Sequence, residues 1–193
     1  MTTKPAETGP IDIVDLLFAQ HGQIRDLFAQ VEATSGDERR EAFDKLVRLL
    51  AVHETAEEEI VHPLAKRKLP GGEGIVEDRL HEEHEAKQVL KRLDQMDPND
   101  AGFLETLNEL RIAVETHARA EERYEFERLR TEFDDAQRRA LASAFKSAEA
   151  MAPTHPHPGA ESAAKNMLAG PPLAVADRVR DMIREAMGKD KRR

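Results

Sequence analysis

Two short runs in this chain have the residue types and the spacing of a metal site: His53-Glu54-Thr55-Ala56-Glu57 and His117-Ala118-Arg119-Ala120-Glu121. Each sets a histidine and a glutamate four residues apart. On a helix that is one turn, so both side chains share a face. In each run the shared face is the apolar one, and a carboxylate turned toward a core is costly unless it is paired or bound to a cation. Imidazole and carboxylate together suit iron, manganese or zinc. With no cysteine in the chain, thiolate sites and disulfides are excluded.

Two such pairs point to two ions. A glutamate can bridge two cations through its two oxygens and hold them roughly 3.5–4 Å apart. Glu57 and Glu121 would each bridge. His53 and His117 add one nitrogen apiece, and isolated histidines on two further helices, His21 and His84, add one more each.

The elements that must position these groups read as helices. Residues 11–33 carry Val14, Leu17, Phe18, His21, Ile24 and Phe28, mostly three or four apart. Residues 38–62 carry Leu46, Leu49, Leu50, His53, Glu57 and Ile60, and Pro63 is expected to end or kink the helix. Residues 73–96 have the least regular pattern, with Val76, Leu80, His84 and Leu90 broadly on one side. The run from residue 101 to a break near Phe133-Asp134 is the most regular: Phe103, Leu107, Leu110, Val114, His117, Glu121 and Tyr124. A fifth helix spans about 135–151. Short turns between long helices predict an all-α, antiparallel up-down-up-down four-helix bundle, with additional C-terminal helices outside it. Residues 1–10 read as a flexible leader, 11–151 as the bundle domain, 152–172 as a linker, and 173–193 as an amphipathic helix with a basic tail.

Composition supports helix and narrows the function. The 193 residues are 35% charged and only 4% aromatic. The formal net charge of −9 argues against nucleic-acid and anionic-membrane partners. No apolar run reaches the roughly 20 residues of a membrane span, and the N-terminus has no apolar signal region, so a cytoplasmic protein is expected.

These features resemble the hemerythrin-like family, also called the HHE cation-binding domain. The matching residues are His21, His53-Glu54 with Glu57, Glu83-His84, and His117 with Glu121, in the expected order over about residues 11–130. The resemblance implies a non-haem centre of two iron ions in a four-helix bundle; the residues alone would also suit manganese or zinc. It implies a small-molecule oxidant as partner: dioxygen, peroxide or nitric oxide. On this reading His21, His53 and Glu54 serve one iron, His84 and His117 the other, and Glu57 and Glu121 bridge.

Two departures count against reversible oxygen carriage. The oxygen-carrying members place two histidines four apart on the third helix, whereas position 80 is Leu; and they use an aspartate five residues after the fourth-helix histidine, whereas Glu121 follows by four. Sensing or oxidative-stress defence is expected instead, with catalase-like peroxide removal as an alternative. A metal-free helical interaction module is the second alternative. His81 competes with His84 for the third-helix position. Tyr124, one turn beyond Glu121, is a candidate donor to a metal-bound ligand. His62, before Pro63, reads as a surface or capping residue, and His155 and His157 as linker.

Overall fold

The computed structural model describes residues 11–152, and these are helical with no strand among them. The leader, the linker and the last helix expected from the sequence lie outside the described residues. Helix α1 spans Ile13–Ala33 and begins at Asp12, whose Oδ1 accepts from the backbone N–H groups of Val14 (2.9 Å) and Asp15 (3.0 Å). Helix α2 spans Gly36–Ala56, and α3 spans His62–Lys68. Between them lies a π-helical turn, Glu57–Val61. Helix α4 spans Gly72–Asp94 and α5 spans Phe103–Glu121. A second π turn, Glu122–Phe126, leads into α6, Glu127–Glu132, and then α7, Asp135–Glu149.

The fold is the expected helical bundle. α1 packs on α2 and α4 on α5 through short connections, while α7 lies against α1 and α2. Arg138 fastens α7 to the start of α1. Its Nε donates to Asp12 Oδ2 at 2.8 Å and its Nη1 to the Phe133 carbonyl at 2.6 Å. The turn into α4 is tight. Gly71 adopts a φ of 72°, and a Cβ on Gly72 would collide with the backbone carbonyl of Ala65.

Pro63 does not end the second helix. The π turn lies just ahead of it and the chain continues to Lys68. A wider i→i+5 turn relieves the clash between a proline ring and the preceding turn. The second π turn occupies the matching place on the fourth bundle strut, immediately after Glu121.

Most of the core lies in two apolar clusters, with a third, small one of Ala65, Leu69 and Val76 where α3 meets α4. One apolar cluster gathers Ile13, Leu17, Ile60, Leu64, Phe126 and Phe145. The other gathers Ile24, Phe28, Phe43, Leu46, Phe103 and Leu107. Phe43 and Phe103 meet edge to face, centroids 5.3 Å apart. Between the clusters lies a polar layer. On α1, His21 falls between Leu17 and Ile24. Along α2 and the π turn after it, His53 and Glu57 fall between Leu50 and Ile60; along α5 and the second π turn, His117 and Glu121 fall between Val114 and Phe126. The apolar slabs bury most of the hydrophobic area, at about 25 cal/mol per Å², and hold the polar layer away from water.

Candidate metal centre

Helical spacing delivers five of the expected ligands to this layer. His21, His53, Glu57, His117 and Glu121 are all buried, the two glutamates completely. One donor atom from each of His21, His53 and Glu57 lies within 4.8 Å of the others, and the same holds for Glu57, His117 and Glu121. Glu57 is therefore shared between two triads. His53 Nε2 stands 3.4 Å from Glu57 Oε1. His117 Nε2 and His21 Nε2 stand 3.5 Å from Glu121 Oε1 and Oε2. These gaps are long for hydrogen bonds. They match neighbouring ligands on one ion, since bonds of about 2.1 Å at 90–110° separate donors by roughly 3.0–3.4 Å.

The donor atoms also lack other partners. His21 Nε2, His117 Nε2 and both oxygens of Glu57 and Glu121 are buried without a hydrogen bond. Buried polar groups are normally satisfied, so this concentration of orphans fits cations between them.

The far side of each ring is held. His53 Nδ1 pairs with Gln20 Oε1 at 2.7 Å, and Gln20 Nε2 donates to Glu149 Oε1 at 2.6 Å. His21 Nδ1 pairs with Glu122 Oε1 at 2.9 Å, which also takes Arg25 Nη2 at 2.7 Å. His117 Nδ1 pairs with Glu82 Oε2 at 3.1 Å, and Arg79 Nη2 donates to Glu82 Oε1 at 2.9 Å. A proton kept on Nδ1 leaves the Nε2 lone pair directed inward, the usual support of a metal-bound histidine. Gln20→Leu is expected to lower metal affinity about 10- to 100-fold without unfolding the bundle. Competition against a chelator of known affinity measures this, and an unchanged affinity would show that the outer bond is dispensable.

Charge is tightly arranged. Burial drives the His53 ring down to about 3, helped by His21, so it is neutral at pH 7. Burial, then Glu121, pushes Glu57 well above the usual carboxylate range. Burial would raise Glu121, but the charges of His117 and His21 hold it at about 2. Burial opposes charge on His117, yet Glu121 and Glu82 lift it to about 10. Without metal, this layer must hold protons.

The structure does not bring His84 to the centre. It is half-buried on the outer side of α4, where Gln88 Nε2 lies 2.7 Å from its Nε2, and it borders an open groove with Val89 and Arg92. The inward line of α4 is Val76, Arg79, Glu83, Ala86, Leu90 and Leu93. Steps that alternate between three and four stay on one face, whereas Val76–Leu80–His84 drifts about 40° per step. His81 is exposed and pairs with Glu85 at 3.4 Å. Tyr124 is 55% exposed and has Arg123 over its ring, so it does not reach the centre. Glu54 is buried beside it but belongs to neither triad; its carboxylate lies 3.8 Å from Lys87 Nζ.

Sequence reasoning gave no place in the centre to Glu83, which it named only beside His84, to His62 or to Glu125, and all three are buried. Glu83 accepts from His62 Nε2 at 2.7 Å and from Lys87 Nζ at 3.3 Å. Burial would raise Glu83, but the His62 bond and charge hold it at about 2. His62 is therefore no surface cap. It follows Glu57 by five residues, and the π turn is what restores the two to one face. Glu125 follows Glu121 by four, a signal that was present in the sequence.

Comparison with known proteins agrees with this geometry. Residues 12–129 match the family described as Hemerythrin HHE cation binding domain. The chain is 27% identical over 175 residues to an uncharacterized hemerythrin-like protein of Schizosaccharomyces pombe, covering 89% of this chain and 86% of that protein. It is 25% identical over 148 residues to a DNA nickase of a Nostoc species, covering 76% of this chain and 42% of that protein. The crystal structure of a hemerythrin HHE cation binding domain-containing protein from Mycobacterium kansasii overlays with a TM-score of 0.61 at 17% identity, over 88% of this chain and 99% of that one. That likeness concerns the fold. Because the family match spans more than half the sequence and includes every residue of both triads, the chain belongs to the hemerythrin HHE cation-binding family.

Proposed function

We propose that the chain is a non-haem di-iron protein that binds or reacts with a small oxidant: dioxygen, peroxide or nitric oxide. The observation that carries this reading is a cavity of about 10 Å³ against the inward rings, lined by His21, Ile24, Phe28, His53, Val114 and His117. That is room for a single water-sized molecule. Space that small favours a ligand of one or two heavy atoms over an organic substrate.

Bound iron would supply redox equivalents and Lewis acidity at this position. The protein's own groups do the rest. Glu57 and Glu121 balance charge between the ions, while Gln20, Glu122 and Glu82 fix the imidazoles. Ile24, Phe28 and Val114 keep bulk water from the ligand. No helix among the described residues is long and apolar enough to cross a membrane.

The test uses iron-loaded protein and nitric oxide, followed by absorption. Val114→Phe fills the cavity at a steric penalty of about 1–3 kcal/mol. It should keep its iron yet bind nitric oxide about tenfold more weakly or worse. Equal binding in Val114→Phe and wild type would remove the cavity from the argument.

A catalase-like activity is the second reading. Glu54 supports it, for the residue lines the same cavity and its Oε2 has no hydrogen-bond partner. A carboxyl there can pass a proton to or from a bound peroxide. Oxygen evolution from peroxide no faster than that of free iron would leave binding or sensing as the role.

A further inference from the structure

Beyond the two triads already described lies a third, and we propose that it is a separate cation site formed by His62, Glu125 and Glu121. One donor atom from each lies within 4.8 Å of the others, and all three side chains are buried. Both oxygens of Glu125 and the Nδ1 of His62 have no hydrogen-bond partner. Glu125 is fully buried, so its two empty acceptors face protein and not solvent.

The support on the far side of His62 has the same design as at the other rings. Its Nε2 lies 2.7 Å from Glu83 Oε1, and Glu83 is held in turn by Lys87. A proton on Nε2 leaves the Nδ1 lone pair available to a cation. The nitrogen used is the opposite one from His21, His53 and His117, whose Nδ1 atoms point away from the centre.

The buried charge here is predominantly negative. Six buried carboxylates gather here: Glu54, Glu57, Glu58, Glu83, Glu121 and Glu125. Lys87 bonds Glu58 and Glu83 within the group; Arg79, whose Nη2 goes to Glu82, also acts on Glu125 by its charge, while Arg25 pairs with Glu122. Mixed imidazole and carboxylate donors suit a first-row dication. Both π turns build this site: one brings His62 under Glu57, and the other carries Glu125. π turns inside helices recur at functional sites.

The inference rests on the reading of Glu121 as a metal ligand. The test titrates the chelated full chain with Co²⁺ and follows its visible d–d absorption together with equilibrium dialysis. Wild type should saturate at about three Co²⁺ per chain, His62→Ala and Glu125→Gln at about two, and His53→Ala/His117→Ala at about one. Glu125→Gln is nearly isosteric, which keeps the test available if His62→Ala misfolds. Saturation of wild type at about two, or an unchanged count in both His62→Ala and Glu125→Gln, would overturn the third site. A His53→Ala/His117→Ala count equal to wild type would instead overturn the two-ion centre.

Discussion

The His53→Ala/His117→Ala variant is expected to lose two metals per chain and, with them, most of the gain in melting temperature that metal gives wild type. His53 is one of two imidazoles in the first triad and His117 is the single imidazole of the second. Without them the first triad keeps only His21 and Glu57 and the second only carboxylates, and burial raises Glu57 toward its protonated form when metal is absent. An ion that binds only the native state at a thousandfold excess over Kd stabilises it by about 4 kcal/mol. In a chain of 193 residues that corresponds to roughly 8–16 °C in Tm. Elemental analysis and calorimetry of the same preparations check both halves. His84→Ala is the control: the sequence assigned that residue to an ion, whereas the structure leaves it outside, so full metal content and an unchanged Tm are expected. Wild type that melts at one temperature with and without chelator would favour the metal-free interaction module.

The second large effect is a change of sign with pH. In the metal-free protein Glu54 is raised to about 8 by burial and the nearby Glu83, and Glu58 and Glu125 to about 7, chiefly by burial. Glu57 is likewise raised well above the usual carboxylate range, and His117 sits at about 10. Every one of these groups binds a proton more tightly folded than unfolded. Stability from such groups is present at low pH and is lost as pH rises through the folded pKa. His53, lowered to about 3, acts the other way, but only below its unfolded value near 6.5. From pH 6.5 to 8 the raised groups act together, so the metal-free fold should weaken steadily. Metal reverses this, because the ions displace those protons and bind more tightly as pH rises. Denaturant titrations of metal-free and loaded protein at pH 6.5 and 8 should therefore move in opposite directions. Parallel slopes would mean that the layer's protons and the metals do not compete.

Much of this was legible in the residues themselves. The step of four from His53 to Glu57 and from His117 to Glu121 puts each pair on one helix face whatever the helix packs against. Their setting within apolar stripes then requires burial, and the structure buries them. The same reasoning misplaced His84, because the stripe of α4 is weak. Ile75, Val76 and Leu80 offer apolar residues on more than one side. Only packing against α3 and α5 selects the Val76–Glu83–Leu90 line. Tyr124 was misplaced for a different reason. The second π turn begins at Glu122 and rotates the chain less per residue than an α-helix, which leaves Tyr124 turned outward and Glu125 inward.

By itself, then, the sequence determined an all-helical bundle, five inward ligands and the family they belong to, because helical periodicity is a local property and a buried carboxylate needs a counter-charge. Tertiary structure alone decided where the helices widen into π turns, which side of α4 faces inward, and that His62, Glu83 and Glu125 join the polar layer. Those outcomes depend on how the two apolar slabs close around that layer, an energy shared among distant segments that no short window of residues contains.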